Sequence, residues 1–422
     1  MSRRILITGA WFDNKGAEAM IRTVQAGVLT HLPQAEGLLL RRGQSAPSAE
    51  VLRGLGLWRA PNNRPLPERV LWLLAHKSGL LRTLARRHCP ASLDLQAVID
   101  ISGYAFGDPW QRPRGSGLQA RLTGRLRDAG NIRLWDLFRQ LQVPVFHLPQ
   151  AWGPFENSES RSLATRVIQH ATLAYARDRQ SHDWLRTLPS FDEKKVRLAS
   201  DIAFTFKGAG PEVGEALLRS LGLAVAGEPL VGIVPNMRVY ERAEGSGLAN
   251  AYVQRLLSLT RHFAERRQCR VLLMPHEIRE GSSARADDRV LCRLIAEAAG
   301  TPDRVVAALG NYRAEELKAL IGGVDLLVSS RFHSLVGAMS LRRPVVALAW
   351  SHKYHELMGS VGLGEYVADY DALPEQELID LCDRAWEDRD GLRACLNAGV
   401  PAHEASAAAV LDEVVEAVKR VS

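Results

Sequence analysis

At 422 residues the chain is too long for one ordinary hydrophobic core, so two domains are expected. With 46% hydrophobic and 24% charged residues it is globular in composition, and no apolar run reaches the roughly 18 to 20 residues of a membrane span. The net charge of +7 is local: ten positive side chains between Arg41 and Cys89 stand against two negative ones, which argues against a general nucleic-acid binder and for one docking surface.

The first strand is expected over Arg4 to Thr8, followed by a loop from Gly9 to Lys15 and a helix from Gly16 to about Leu29. The two arginines of MSRRILITGAW lead straight into this strand and a polar loop, without the long apolar region of a signal peptide, so a cytoplasmic protein is expected. A second strand covers Gly37 to Leu40. Residues 45–92 then read as an insertion, with a Pro/Asn-rich turn at Ala60 to Pro67 followed by VLWLLAHKSGLLRTLARRH. Its arginines, Trp58, Trp72 and leucines have the composition of a membrane-surface segment, so peripheral contact with an anionic inner leaflet is an expectation. Strands return at Ala97 to Ile101, Val143 to Leu148, Leu173 to Arg177 and Lys195 to Ala199, separated by helix-length segments.

Asp201 to Pro211 is short, Gly-rich and link-like, which places one domain at 1–205 and another at 206–422. The second series has strands at Leu230 to Pro235, Arg270 to Met274 and Val305 to Ala307. Its helices are expected at Tyr252 to Arg267, Asp287 to Ala299 and Ala314 to Ile321. A βαβ unit over Val324 to Ala349 and a wholly helical tail, Pro374 to Val421, complete it. The fold class is therefore α/β, with two Rossmann-like, doubly wound domains facing a cleft. Five scattered cysteines (Cys89, Cys269, Cys292, Cys382, Cys395) include no CxxC pair, so reduced thiols are expected rather than disulfides or a metal site.

The most informative stretch is VDLLVSSRFHSLVGAMSLRRPVVALAWSHK, Val324 to Lys353. A loop leaving the C-terminal end of a parallel strand points into the ligand crevice, and the helix starting there offers free N–H groups to an anion. Arg331 adds a planar fork suited to phosphate or carboxylate, and His333 adds a side chain of the type that moves protons near neutral pH. Ser330, Ser334 and Lys353 flank them. Arg238, in GIVPNMR, and His276 and Glu277, in MPHE, also end strands and are candidates to face the same crevice.

Taken in order, NKGAEAM (Asn14 to Met20), ISGYAFGD (Ile101 to Asp108), LPQAWGPF (Leu148 to Phe155), ARDRQSHDWL (Ala176 to Leu185) and SSRFHSLVGAMSLRRPVVALAWSHK make the chain resemble the polysaccharide pyruvyl transferase family. Two departures stand out: SGYAFGD replaces a run of glycines, and Ala17-Glu18 stands where many members have Gly-Asp. The resemblance implies a fold like that of two-domain GT-B glycosyltransferases. It also implies transfer of the pyruvyl group of phosphoenolpyruvate to a sugar or lipid-linked glycan, with no cofactor and no metal.

The R-x-H motif of that family maps onto Arg331 and His333, which makes His333 the expected general acid. Arg331, Arg238, Ser330, Ser334 and Lys353 are the expected donor contacts. Asp13, Asn14, Glu18, Asp108, Gln150, His276 and Glu277 are the expected acceptor contacts. A nucleotide-sugar glycosyltransferase of the same architecture is the first alternative, lowered because no E-x₇-E pattern occurs between 270 and 345. A non-catalytic glycan-assembly protein is the second. A nicotinamide dehydrogenase is disfavoured because no GxGxxG follows the first strand.

Overall fold

A computed structural model of the chain describes residues 3–32, 35–39, 49–59, 95–108, 135, 138–139, 142–224, 227–279, 286–372 and 374–420. They form two compact units. The first comprises Met1–Trp11, Ile21–Asp201 and Ala409–Ser422; the second comprises Phe12–Met20 and Ile202–Ala408.

The first unit is built on a seven-stranded parallel sheet. Its strands are β1 (Arg3–Thr8), β2 (Ala35–Leu39), β3 (Leu57–Arg59), β4 (Leu95–Asp100), β5 (Val145–Gln150), β6 (Leu173–Ala176) and β7 (Val196–Leu198), in the order β3-β2-β1-β4-β5-β6-β7. Helices α1 (Lys15–His31), α2 (Ala49–Gly54), α3 (Ser158–His170) and α4 (Arg179–Arg186) are its connections, with the first turn of α1 grouped in the second unit. Strand β5 is buried at every position, as expected of a parallel strand covered on both faces. Order reverses between β1 and β4, so the ligand crevice of this sheet lies beyond Thr8 and Asp100.

The stretch 45–92 is not wholly an insertion, because it supplies α2 and the edge strand β3, which pairs with β2. Its remainder from Ala60, with the turn, Trp72 and most of the basic residues, lies outside the described residues. Among the described residues no helix is long and apolar enough to cross a membrane.

The second unit has six parallel strands: β8 (Leu230–Val234), β9 (Arg270–Leu273), β10 (Val305–Ala307), β11 (Leu326–Ser329), β12 (Val345–Ala349) and β13 (Val367–Asp369), in the order β10-β9-β8-β11-β12-β13. Its helices are α5 (Pro211–Ser220), α6 (Ala251–Arg261), α7 (Arg289–Ala299), α8 (Ala314–Gly322), α9 (Phe332–Ser340), α10 (Lys353–Ser360), α11 (Glu375–Glu387) and α12 (Arg389–Arg420), the last of which belongs to the first unit from Ala409 onwards. The runs LVGIV, LLVS and VVALA are buried throughout, which is why apolar β-type segments became the centre of this sheet. Here order reverses between β8 and β11, and Ser329 pairs with Val234 at that point.

The segment Asp201 to Pro211 is more than a link. Ile202, Ala203 and Phe204 are buried in a 3₁₀ turn, and Phe206 packs with Ala19 and Ala314. The Phe206 carbonyl accepts a hydrogen bond from Nζ of Lys318, which is only 8% exposed. Burial drives the Lys318 ammonium down from 10.5 to about 8; Glu404 opposes the shift and Arg342 adds to it. The unfolded chain therefore binds more protons than the native one between those values, and the charged lysine costs stability that returns as pH rises from about 8 through 10.5. Lys318→Met is expected to raise stability at pH 7. Its advantage over wild type should shrink towards pH 10.5 by at most about 3 kcal/mol, as read by urea unfolding at the two pH values. An advantage that does not change with pH would refute this.

Candidate active site

The polar residues of the second unit converge at its switch point, on the loops that follow β8, β9 and β11. After β8 comes Asn236, whose side chain caps the helical turn Met237–Tyr240 by accepting from Arg238 N (2.9 Å) and donates to the Ser330 carbonyl (2.7 Å). The β9 loop carries His276 and Glu277, both buried. From β11 come Ser330 and Arg331, and α9 then begins with Phe332 and His333.

The Arg331 guanidinium is 7% exposed and held by two carboxylates: Nη1 donates to Glu277 Oε2 at 2.9 Å and Nη2 to Asp288 Oδ1. Burial alone would lower the guanidinium's affinity for its proton, but Asp288 and Glu277 outweigh it and raise it. Burial likewise pushes Glu277 up, yet Arg331 and Arg279 hold it below the usual carboxylate range. His276 is held well below the ordinary histidine range by burial, with the positive charges of His333, Arg331 and Lys15 acting in the same direction. Burial and these charges favour the neutral imidazole of His276 at physiological pH.

The segment Phe12–Met20 reaches the same loops. Lys15 N donates to the His276 carbonyl (3.0 Å), Ile278 N donates to the Asp13 carbonyl (2.8 Å), and Asn14 bridges to Glu277. Asn14 also caps α1 by accepting from Ala17 N at 3.1 Å. Glu18 is buried and paired with Lys15 Nζ at 2.9 Å. The His333 ring lies directly on Gly16, where a Cβ would stand 2.2 Å from Cγ and Nδ1 of the ring. Gly16→Ala is therefore expected to displace the imidazole by more than an ångström and to lower the turnover of the folded variant about 10²-fold. Wild-type turnover in Gly16→Ala would show that the ring position does not matter.

Other expected contacts take different places. Ser330 and Ser334 are fully buried, with hydroxyls engaged inside the protein. Ser330 Oγ meets Tyr252 Oη at 2.7 Å, and Ser334 Oγ donates to the Arg331 carbonyl at 2.7 Å. Both hydroxyls thus bind within the Arg331 loop and its neighbour Tyr252. Arg238 is partly exposed and 3.9 Å from Glu241. Lys353 is buried among aromatic rings, with Nζ 4.5 Å from the Trp350 centroid and 5.5 Å from that of Phe332.

Asp108 and Gln150 belong to the first unit. The Asp108 carboxylate accepts from Glu156 N (2.9 Å), Asn157 N (3.3 Å) and Ser160 Oγ at the start of α3. Gln150 is fully buried with Nε2 on Asp100 Oδ1 at 3.3 Å. Asp108 is thus engaged at the start of α3, whereas Oε1 of Gln150 is buried and meets no donor among the described residues. Sequence reasoning missed Lys15, Gly16, Tyr252 and above all Asp288. The pair Asp287-Asp288 read only as a helix start, and no local pattern distinguishes a capping aspartate from one that reaches back across its own loop and on to two others.

Two parallel, doubly wound α/β sheets, with a polar site at the switch point of the second, define the GT-B type of architecture. Solved structures of that type match nearly the whole chain. The UDP-GlcNAc 2-epimerase of Neisseria meningitidis bound to UDP-GlcNAc superposes with a TM-score of 0.58 at 11% identity, covering 98% of this chain and 100% of that one. A glycosyltransferase of Rickettsia africae gives 0.58 at 10% identity, covering 100% and 98%. Anabaena Alr3699/HepE, in complex with UDP and glucose, gives 0.57 at 14% identity, covering 99% and 100%. At these identities the likeness concerns the fold. Residues 34–352 match the sequence profile of polysaccharide pyruvyl transferase, and the chain belongs to that family. A 93-residue stretch is also 27% identical to the amylovoran biosynthesis protein AmsJ of Erwinia amylovora, an alignment that spans 22% of each chain.

Proposed function

We propose that this protein transfers the pyruvyl group of phosphoenolpyruvate to two hydroxyls of a sugar in an exopolysaccharide intermediate, forming a cyclic ketal and releasing phosphate. The observation that carries the reading is the pairing, at one switch point, of a fixed arginine, Arg331, with two histidines, His333 and His276. The family and the name of AmsJ support the polysaccharide context. The donor brings a carboxylate and a phosphate, for which Arg331, Arg238 and Lys353 are the cations at hand.

His333 protonates the methylene carbon of the enol, turning CH₂ into CH₃ and leaving an oxocarbenium-like centre at the neighbouring carbon. A sugar hydroxyl adds there and gives up its proton to neutral His276. The C–O bond to phosphate then breaks, His276 passing its proton to the departing phosphate, and the second hydroxyl closes the ketal on the regenerated oxocarbenium-like centre and returns a proton to His333. Asp13, Asn14 and Glu18 lie on the segment beside His276 and are the acceptor-side residues of this reading.

Thermal stability of the full chain, measured with phosphoenolpyruvate and separately with UDP- and GDP-sugars, tests it. A ligand at about 100 times its dissociation constant adds roughly 2.7 kcal/mol. Stabilisation by phosphoenolpyruvate that Arg331→Ala abolishes supports the proposal. Stabilisation by a nucleotide sugar alone overturns it in favour of glycosyl transfer.

A further inference from the structure

Asp288 stands immediately before α7 and is completely buried, yet its side chain does not cap that helix. Asp287 serves α7 instead, accepting from Arg289 N at 2.9 Å. The Asp288 carboxylate is turned towards the three loops of the active site. Its Oδ2 accepts from His276 N (3.1 Å) and Glu277 N (2.8 Å), on the loop after β9. Its Oδ1 accepts from Met237 N (3.0 Å), on the loop after β8, and from Nη2 of Arg331, on the loop after β11. All four partners are donors. An amide could satisfy only one side, because its NH₂ would face either the two loop amides or Met237 and Arg331.

Glu277 takes Nη1 of Arg331, so both terminal nitrogens of the fork are engaged. Nε of Arg331 is buried and meets no acceptor among the described residues. A charged donor left in this state is the feature of the site that most directly awaits an acceptor oxygen.

We infer that Asp288 is a positioning residue for the reaction: with Glu277 it fixes the Arg331 guanidinium so that Nε–H is the edge left to meet an anionic oxygen of the donor, and it locks the His276 backbone in register. The assignment rests on the donor reading above. Arg331 on this view is an orienting single-point donor rather than a bidentate clamp. Asp288 works through Arg331 and His276 and touches no reacting atom.

The test uses the full chain with Asp288→Asn, Arg331→Lys and the double variant. Hydrogen exchange at the amides of Met237, His276 and Glu277 is read first. It is expected to speed up at least 10-fold in Asp288→Asn, while Val231 and Ile233 inside β8 keep wild-type rates. Calorimetric affinity for phosphoenolpyruvate is expected to fall at least 10-fold, and the double variant should lose no more than Arg331→Lys alone. Unchanged exchange at the three amides, or losses that multiply, would overturn the assignment. A wild-type protein that binds no phosphoenolpyruvate defeats the donor reading, and the exchange rates then decide the positioning role alone. Should Asp288→Asn fail to fold, Asp288→Glu keeps the charge but moves it by one methylene. A folded Asp288→Glu with wild-type affinity would count against the inference, and one with the 10-fold loss would support it.

Discussion

Arg331→Met is expected to lower stability by about 3 to 5 kcal/mol, the largest loss of any single substitution at this site. The reason is what stays behind. Glu277 and Asp288 are 3% and 0% exposed, and each has Arg331 as its main buried counter-charge. Without it, two carboxylates remain in a low-dielectric interior close to each other, an arrangement more costly than the intact network. Arg279, which also reaches Glu277, offsets part of this for one of the pair.

The pH dependence gives the prediction its sign. Burial already holds the Asp288 carboxyl above its ordinary value in the intact protein, and removing Arg331 raises it further and takes Glu277 up as well. The extra stability of the protonated forms is then present at low pH and lost as pH rises through the raised folded values. The gap between variant and wild type should therefore narrow as pH is lowered towards about 4, where unfolded carboxyls take up their protons. Urea unfolding at pH 7 and near pH 5 measures both effects. A loss below about 1 kcal/mol at pH 7, or a gap that widens in acid, would show that the pair does not depend on Arg331.

The same residues show what a sequence discloses and what it hides. Strands β8, β9, β11 and β12 were legible because each is a short apolar run bounded by turn residues, and burial on both faces demands that pattern. Strands β3 and β13 were not: β3 lies in the basic stretch read as an insertion and β13 is the run Val367–Asp369, which carries an acidic residue, whereas the equally short edge strands β7 and β10 were legible. The tail was legible as helix, but its affiliation was not. Tyr175 of β6 donates to Glu413 of α12 at 2.6 Å, a partnership 238 residues apart that no local signal announces.

At the site, Arg331 and His333 stood out because a strand end placed them, and the structure brings His276, Glu277 and Asn14 to them. Ser330 and Ser334 shared that strand end, but local sequence does not say which hydroxyls the backbone will occupy. Asp288 was illegible for a related reason. Its role is defined by four donors on three loops, and only the closed sheet brings those loops to one point.

His333→Ala is expected to lower turnover about 10²- to 10⁴-fold with little change in affinity for phosphoenolpyruvate. In barrier terms that is about 3 to 5 kcal/mol lost from the transition state alone. The split follows from the role proposed for the ring. A general acid acts as the proton moves, so its removal raises the barrier without weakening the anion contacts that hold the ground state. On the proposed reading those contacts come from Arg331 and its cationic neighbours, and it is Glu277 and Asp288, not His333, that hold the Arg331 guanidinium.

The ring itself is placed by packing. It rests on the Gly16 backbone and meets Phe332 edge to face, with centroids 5.5 Å apart, so truncation leaves a small gap beside a glycine rather than a buried charge. Stability should accordingly fall far less than in Arg331→Met, and the two variants separate the two functions of the R-x-H motif. Calorimetry with phosphoenolpyruvate and single-turnover phosphate release, on the same preparation of His333→Ala, measure the split directly. Affinity that collapses together with turnover would make His333 a binding residue. Turnover within about threefold of wild type would move the proton transfer to another group, and neutral His276, on the adjacent loop, is the one whose replacement would then be measured.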